Sequence, residues 1–258
     1  MRIGLVQMHC EKGAISHNLK SMARCLHEAI ERKVDILSFP EMSITGYADP
    51  TRYPEAVIRL DGDEIAQLLE MTQGQAITVL AGLIEERTLE KPFITQIAVR
   101  EGQLLGHYRK VTIKDEEADW FSAGDQVPVF RHGEHCFGIA ICADIDNEWV
   151  FSEYGRQGAE IVFELAAPGL YGEQATRDWQ ADFEWWQAEC QKHLSRHARK
   201  HKYWIGVATQ AGRTTDEDFP GGGYLFAPTG QRLYATAGWA PGAVYLDINL
   251  GTHKIVEL

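Results

Sequence analysis

A chain of 258 residues, 45% hydrophobic and 24% charged, has the composition of an ordinary globular protein with a sizeable core, which excludes disordered and fibrous classes. Its formal net charge of −12 argues against nucleic acid or an anionic membrane as partner, since both demand a positive surface. Met1–Gln7 turns polar too soon for a secretory leader, no apolar run is long enough to span a bilayer, and the five scattered cysteines lack metal-type spacing, so a cytoplasmic protein is expected.

Arg2–His9 alternates into a short strand, and Asn18–Arg32 carries Leu19, Met22, Ala23, Leu26, Ala29 and Ile30 at helical spacing. A second strand, Val34–Phe39, ends at Pro40, and the β-α-β unit predicts a parallel pair with a right-handed crossover. Glu41 and the Gly-containing loop to Tyr47 then fall beyond the carboxyl end of that strand, where ligands sit in such sheets. Asp61–Gln73 reads as a helix, with Ile77–Glu86, Phe93–Arg100 and Gln103–Val111 as strands. Glu101-Gly102 is a tight-turn signal, so the sheet is mixed. Tyr108-Arg109-Lys110-Val111 leads into an acidic loop, Asp115–Asp119.

Val127–Phe130 and Phe137–Ile141 read as a strand pair delivering Cys142, followed by a helix at Trp149–Gln157 and a strand at Glu160–Glu164. A Gly- and Trp-bearing excursion, Gly169–Trp186, precedes a long helix to about Lys202. Further strands are predicted at Tyr203–Gln210, Gly223–Ala227, Arg232–Ala235 and Ala243–Ile248. No linker-like composition or low-complexity tract interrupts the chain, so residues 1–258 are read as a single domain. His193, His197 and His201 share one face of the long helix; the Arg and Lys among them favour a solvated face over a metal site, and no metal ligand is assigned.

The run Phe137-Gly138-Ile139-Ala140-Ile141-Cys142-Ala143-Asp144 ends a buried strand on a thiol, a small residue and an acid. That is where an α/β enzyme displays a nucleophile, although a lone apolar-flanked cysteine is more often an inert core residue. Phe39-Pro40-Glu41 with Gly46-Tyr47, then Tyr108-Arg109-Lys110, then Gly138–Asp144 together resemble the glutamate, lysine and cysteine motifs of the nitrilase, or carbon–nitrogen hydrolase, superfamily, in its amidase-like branch. The likeness runs from the first strand to Pro228-Thr229-Gly230. It implies an α/β fold, a four-layer αββα sandwich with two mixed β-sheets, and a homodimer or higher homo-oligomer.

The resemblance also implies roles that amide hydrolysis needs on chemical grounds: a nucleophile, a proton carrier and a holder for the oxyanion. Cys142 is the expected nucleophile, forming a thioester; Glu41 the general base; Lys110 the oxyanion's ammonium, aided by the backbone N–H of Ala143. Glu117 stands where relatives often carry a second glutamate, against the alternative that the acidic run is solvated surface. The expected activity is cleavage of a small non-peptide amide, releasing ammonia or an amine, with no cofactor and no metal. The alternatives are an N-carbamoyl hydrolase or nitrilase with the same triad, or a non-catalytic binding module. A metal-dependent phosphoesterase on a similar sandwich would need a carboxylate and histidine cluster that the sequence does not display.

Three stretches depart from the family's pattern. Asp144–Trp149, including Asn147 and Glu148, replaces an aromatic-Pro-Glu element; Arg196–Lys200 replaces Arg-Ala-x-Glu-Asn; Gly221-Gly222-Gly223 replaces Gly-x-Ser. They leave substrate identity and subunit contacts open. Because the excursion Gly169–Trp186 follows the strand after the cysteine, Tyr171 and Trp179 are expected to border the substrate pocket. Phe183, Trp185 and Trp186 are expected to pack the long helix onto the sheet.

Overall fold

Period-two alternation along the strands decides what each face of a sheet meets. The computed structural model describes residues 1–258. The first half holds β1 (Arg2–Gln7), α1 (Ile15–Glu31), β2 (Ile36–Ser38), β3 (Val57–Ile58), α2 (Asp63–Met71), β4 (Thr78–Glu85), β5 (Phe93–Arg100) and β6 (Gln103–Arg109). Next come α3 (Glu117–Trp120), β7 (Phe130–His132), β8 (His135–Ile141), α4 (Glu148–Arg156), β9 (Ile161–Ala166) and α5 (Trp179–His201). The chain closes with β10 (Trp204–Thr209), β11 (Ala211–Arg213), β12 (Asp218–Pro220), β13 (Gly223–Phe226), β14 (Arg232–Ala235), β15 (Gly242–Asn249) and β16 (Lys254–Glu257).

One sheet runs β16-β15-β1-β2-β4-β5-β6, with β3 beside β4; the other runs β14-β13-β10-β9-β8-β7. Both mix parallel and antiparallel pairs. β1 pairs in parallel with β2 on one side and antiparallel with β15 on the other, Arg2 opposite Asp247. Ile3 and Leu5 of β1, Leu80 and Ile84 of β4 and Ala98 of β5 share a core with Ile139, Ile141, Phe163 and Leu165 of the second sheet. Their strand neighbours Val6, Val79, Ala81, Leu83 and Val99 turn the other way, onto Leu19, Met22 and Leu26 of α1 and Ile65 and Leu68 of α2. On the far side of the second sheet lie Val150, Phe151 and Tyr154 of α4 with Leu194 and Ala198 of α5. The result is the expected αββα sandwich. No helix is long and apolar enough to cross a membrane.

Several boundaries differ from those read in the sequence. β7 lies at Phe130–His132 rather than Val127–Phe130, because a two-residue turn at Gly133-Glu134 sets the register of Phe130 opposite Phe137 and His132 opposite His135. The long helix begins at Trp179, where the Asp178 carboxylate accepts the Ala181 N–H at 3.1 Å and caps it. β3, β11, β12 and β16 are two to four residues long, too short to show a period. The Glu101-Gly102 hairpin is as expected, with both residues at positive φ, 53° and 75°.

The histidine face of α5 is the clearest correction. It is not solvated: His197 is fully buried, and His193 and His201 are half-buried. The i, i+4 spacing that aligns these rings also aligns them with the core stripe of Leu194 and Ala198, while Arg196, Arg199 and Lys200 take the outer face.

The carboxyl ends of β2, β6, β8 and β9 converge on one rim, and Gly82 in the middle of β4 lets the loop after β2 lie flush on the sheet. The Ile44 N–H donates to Gly82 O at 2.8 Å, and the Gly82 N–H donates to Ser43 Oγ at 2.9 Å. A Cβ at Gly82 would stand 2.3 Å from the backbone nitrogen of Met42 and 2.5 Å from Gln96 Oε1. Gly82→Ala is therefore expected to destabilise the fold by about 1–3 kcal/mol, read from urea denaturation. Gly238→Ala, where a Cβ meets nothing within 4 Å, serves as the neutral control; equal midpoints for the two variants would contradict the close approach.

Candidate active site

At Ile141 the second sheet releases the chain into a tight turn, Cys142–Asp146, and Cys142 takes a φ of +44°. A side chain in that region costs energy that the surroundings must hold in place. The buried Asp144 carboxylate does so by accepting the Ile141 N–H at 3.0 Å, the Thr112 N–H at 2.8 Å and the Tyr108 hydroxyl at 2.7 Å. Tyr108 belongs to β6, so this carboxylate ties the cysteine turn of one sheet to the lysine strand of the other. Met42, directly after Glu41, also has positive φ, 49°.

Lys110, at the end of β6, is almost completely buried, as are Glu41 and Glu117. Its ammonium donates to Glu41 Oε1 at 2.8 Å and to both oxygens of Glu117, at 2.7 and 2.9 Å. The other oxygen of Glu41 accepts the Ala167 N–H at 3.0 Å, from the chain leaving β9, and the Tyr47 hydroxyl donates to Glu117 Oε1 at 2.9 Å. Glu117 is thereby separated from Asp115 and Glu116, which stay exposed. The one-turn helix α3 is what rotates it inward.

Burial, the largest influence, pushes the Glu41 carboxyl up to about 7, with Lys110 pulling against it and Glu117 adding to it. Burial would lower the Lys110 ammonium, but Glu41, Glu117 and Cys142 together outweigh it and hold the group well above its ordinary value. The half-buried Cys142 is pushed well above the usual thiol range, by burial first and then by the Glu41 charge, with Lys110 opposing. The resting site thus holds a neutral thiol beside a carboxyl poised near neutrality and a permanent cation. Such a cluster titrates as a unit.

A cavity of about 660 Å³ opens above this group, with Tyr47, Lys110, Glu117, Cys142 and Ala143 on its wall. Tyr171 is on the wall and 89% exposed. Trp179 is not: it stands at the start of α5 with the Arg213 guanidinium 5.9 Å from its ring centre. Phe183 and Trp186 are buried, as read from the sequence, whereas Trp185 is 45% exposed, and both Trp185 and Trp186 line the cavity. Sequence reasoning missed the supports. Gln96, whose amide donates to Phe39 O at 3.0 Å, announced itself only as a polar residue inside an apolar strand, and Gly82 only as a glycine inside one.

A family model described as carbon-nitrogen hydrolase matches residues 2–254. A glutamine-dependent NAD(+) synthetase of Thermotoga maritima is 28% identical over 152 residues, 57% of this chain and 26% of that protein. An (R)-stereoselective amidase of a Pseudomonas species is 26% identical over 166 residues, 63% of this chain and 58% of that one. The chain therefore spans about a quarter of the synthetase and under two thirds of the amidase. Among solved structures, a mutant amidase from Nesterenkonia sp. AN1, with acrylamide added at its active-site cysteine, matches with a TM-score of 0.82 at 23% identity, over 96% of this chain and 93% of that one. That likeness is one of fold.

Removing the cation should expose what it offsets. Lys110→Met leaves Glu41 and Glu117 buried together without a counter-charge, an expected loss of about 3–5 kcal/mol at neutral pH or above. In the variant the Glu41 carboxyl, already raised by burial, loses the cation that pulls it down, so the native state binds extra protons and stability recovers as pH falls toward the unfolded carboxylate range. Urea denaturation at two pH values checks this; a deficit that does not shrink in acid would mean lost packing rather than unpaired charge.

Proposed function

The chain belongs to the carbon–nitrogen hydrolase family, and from that premise we propose that it is a thiol amidohydrolase acting on a small non-peptide amide, with residues 1–258 working as one unit. The observation that carries this reading is the buried Lys110 bridging two carboxylates beside a cysteine held at positive φ on the cavity wall. Cys142 Sγ attacks the amide carbonyl carbon while Glu41 takes the thiol proton. The tetrahedral oxyanion is met by the Lys110 ammonium and the backbone N–H of Ala143. Collapse breaks the C–N bond, and Glu41 returns the proton to the departing nitrogen, leaving a thioester. Glu41 then takes a proton from water as its oxygen attacks the thioester carbon, and the second collapse restores the Cys142 thiol and frees the acid. Glu117 acts through Lys110: its two bonds keep the ammonium charged and aimed while the bond to Glu41 is exchanged for the oxyanion.

The cavity wall indicates which amides fit. Its outer cations are already engaged: Lys12 by Asp216 at 2.6 Å and Glu217 at 2.9 Å, Arg52 by Asp216 at 3.2 Å, Lys114 by Asp146 at 2.8 Å. Asp49, Asp115 and Glu116 on the same wall have no cationic partner. A neutral or cationic amide matches this field; one carrying a carboxylate does not.

Four outcomes are expected. Cys142→Ala should abolish turnover, and Glu41→Gln should lower kcat by at least about a hundredfold. Wild-type kcat/KM should rise with pH through about 7, because the raised Glu41 carboxyl must ionise before it can accept the thiol proton. An acid limb that survives in Glu41→Gln would assign the base elsewhere. Between amides matched in size, the cationic one should have a kcat/KM at least about tenfold above the anionic one at low ionic strength, the gap narrowing with salt. Equal rates would remove the wall charge from specificity.

A further inference from the structure

The buried histidine face of α5 meets Glu148, the first residue of α4, outside the cavity. His201 Nε2 lies 3.0 Å from Glu148 Oε1, and His197 Nδ1 lies 3.6 Å from Glu148 Oε2. One ligand atom from each of the three residues falls within 4.8 Å of the other two. His197 is fully buried, and its Nε2 is 3.0 Å from the carbonyl oxygen of Ile145. That carbonyl can only accept, so Nε2 carries the proton and Nδ1 presents a bare lone pair. Nδ1 has no hydrogen-bond partner, and it faces a carboxylate.

A lone pair aimed at an anion is repulsive unless something positive stands between them. The rings are also held in place: His197 stacks on Phe151 at 4.0 Å and 4°, and His201 on Tyr203 at 5.7 Å and 15°. An imidazole fixed by a backbone carbonyl on one nitrogen, leaving the other free, is the arrangement of a metal-ligating histidine. We propose that Glu148, His197 Nδ1 and His201 Nε2 form a binding site for a divalent transition-metal ion, with zinc the expected occupant. Two imidazoles and one carboxylate suit zinc and its neighbours and disfavour the all-oxygen preferences of calcium and magnesium. The Lys200 ammonium, on an exposed side chain bonded to Glu148 Oε1, competes for the same carboxylate and must swing away. Through Ile145 O the ion would sit behind the Cys142–Asp146 turn, bracing it without facing substrate.

The test uses the full chain after exhaustive chelation, titrated with Co²⁺ by visible absorption and with Zn²⁺ by competition. One saturable equivalent is expected, with imidazole and carboxylate character. His201→Ala and Glu148→Gln should each weaken it by at least about a hundredfold. Lys200→Gln should tighten it, and Cys142→Ala should leave it unchanged. No saturable binding, binding that persists in the ligand variants, or binding lost in Cys142→Ala overturns the assignment. Lys200→Gln keeps the test decisive if the ligand variants fail to fold: unchanged affinity there also overturns it.

Discussion

One buried ammonium holds two carboxylates at the floor of the cavity. Lys110 is buried with Glu41 and Glu117, and all three of its N–H donors are used on them. Burial works against charge on both Glu41 and Lys110, and each is the other's nearest compensation. Burial is what places the Glu41 carboxyl near neutrality instead of deep in the acid range, with the Lys110 cation pulling it down and the Glu117 charge adding to the rise. The rest of the molecule supplies the dryness and the aim.

The aim comes from both sheets at once. Glu41 and Lys110 leave the first sheet, Cys142 and the Ala167 N–H leave the second, and the Asp144 carboxylate joins Tyr108 across the gap. The apolar layer between the sheets therefore sets the distance between Glu41 and Cys142, and Cys142 itself packs against that layer. Gly82 acts in the same indirect way, by being small enough for the Glu41 loop to rest on β4.

Much of this was legible in the sequence. The strand ends that carry Glu41, Lys110 and Cys142 follow long apolar runs with clear periods, and the resemblance supplied the sandwich and the roles proposed for these residues. What escaped notice has a common cause. The composition of the acidic run did not separate Glu117 from its neighbours; the resemblance did, and a single helical turn is what points it inward. Trp179 was placed on the pocket because the start of α5 depends on a cap at Asp178, and β7 was misplaced because a two-residue turn shifts register without leaving a hydrophobic trace. His197 and His201 were read by their charged neighbours, whereas the i, i+4 partners Leu194 and Ala198 were the informative ones. Local identity was sufficient where a period was long; it failed where one turn, cap or contact decided the outcome.

β1 lies between strands from opposite ends of the chain, paired with β2 about thirty residues on and with β15, Arg2 opposite Asp247. Such pairing gives the fold a high contact order, and closing so long a loop is slow. Until β15 arrives, Ile3, Leu5 and Val6 lie on a strand with one bare edge, of the kind that recruits other chains. During synthesis on the ribosome, the first sheet is therefore exposed longest beside the very strand that later anchors its centre.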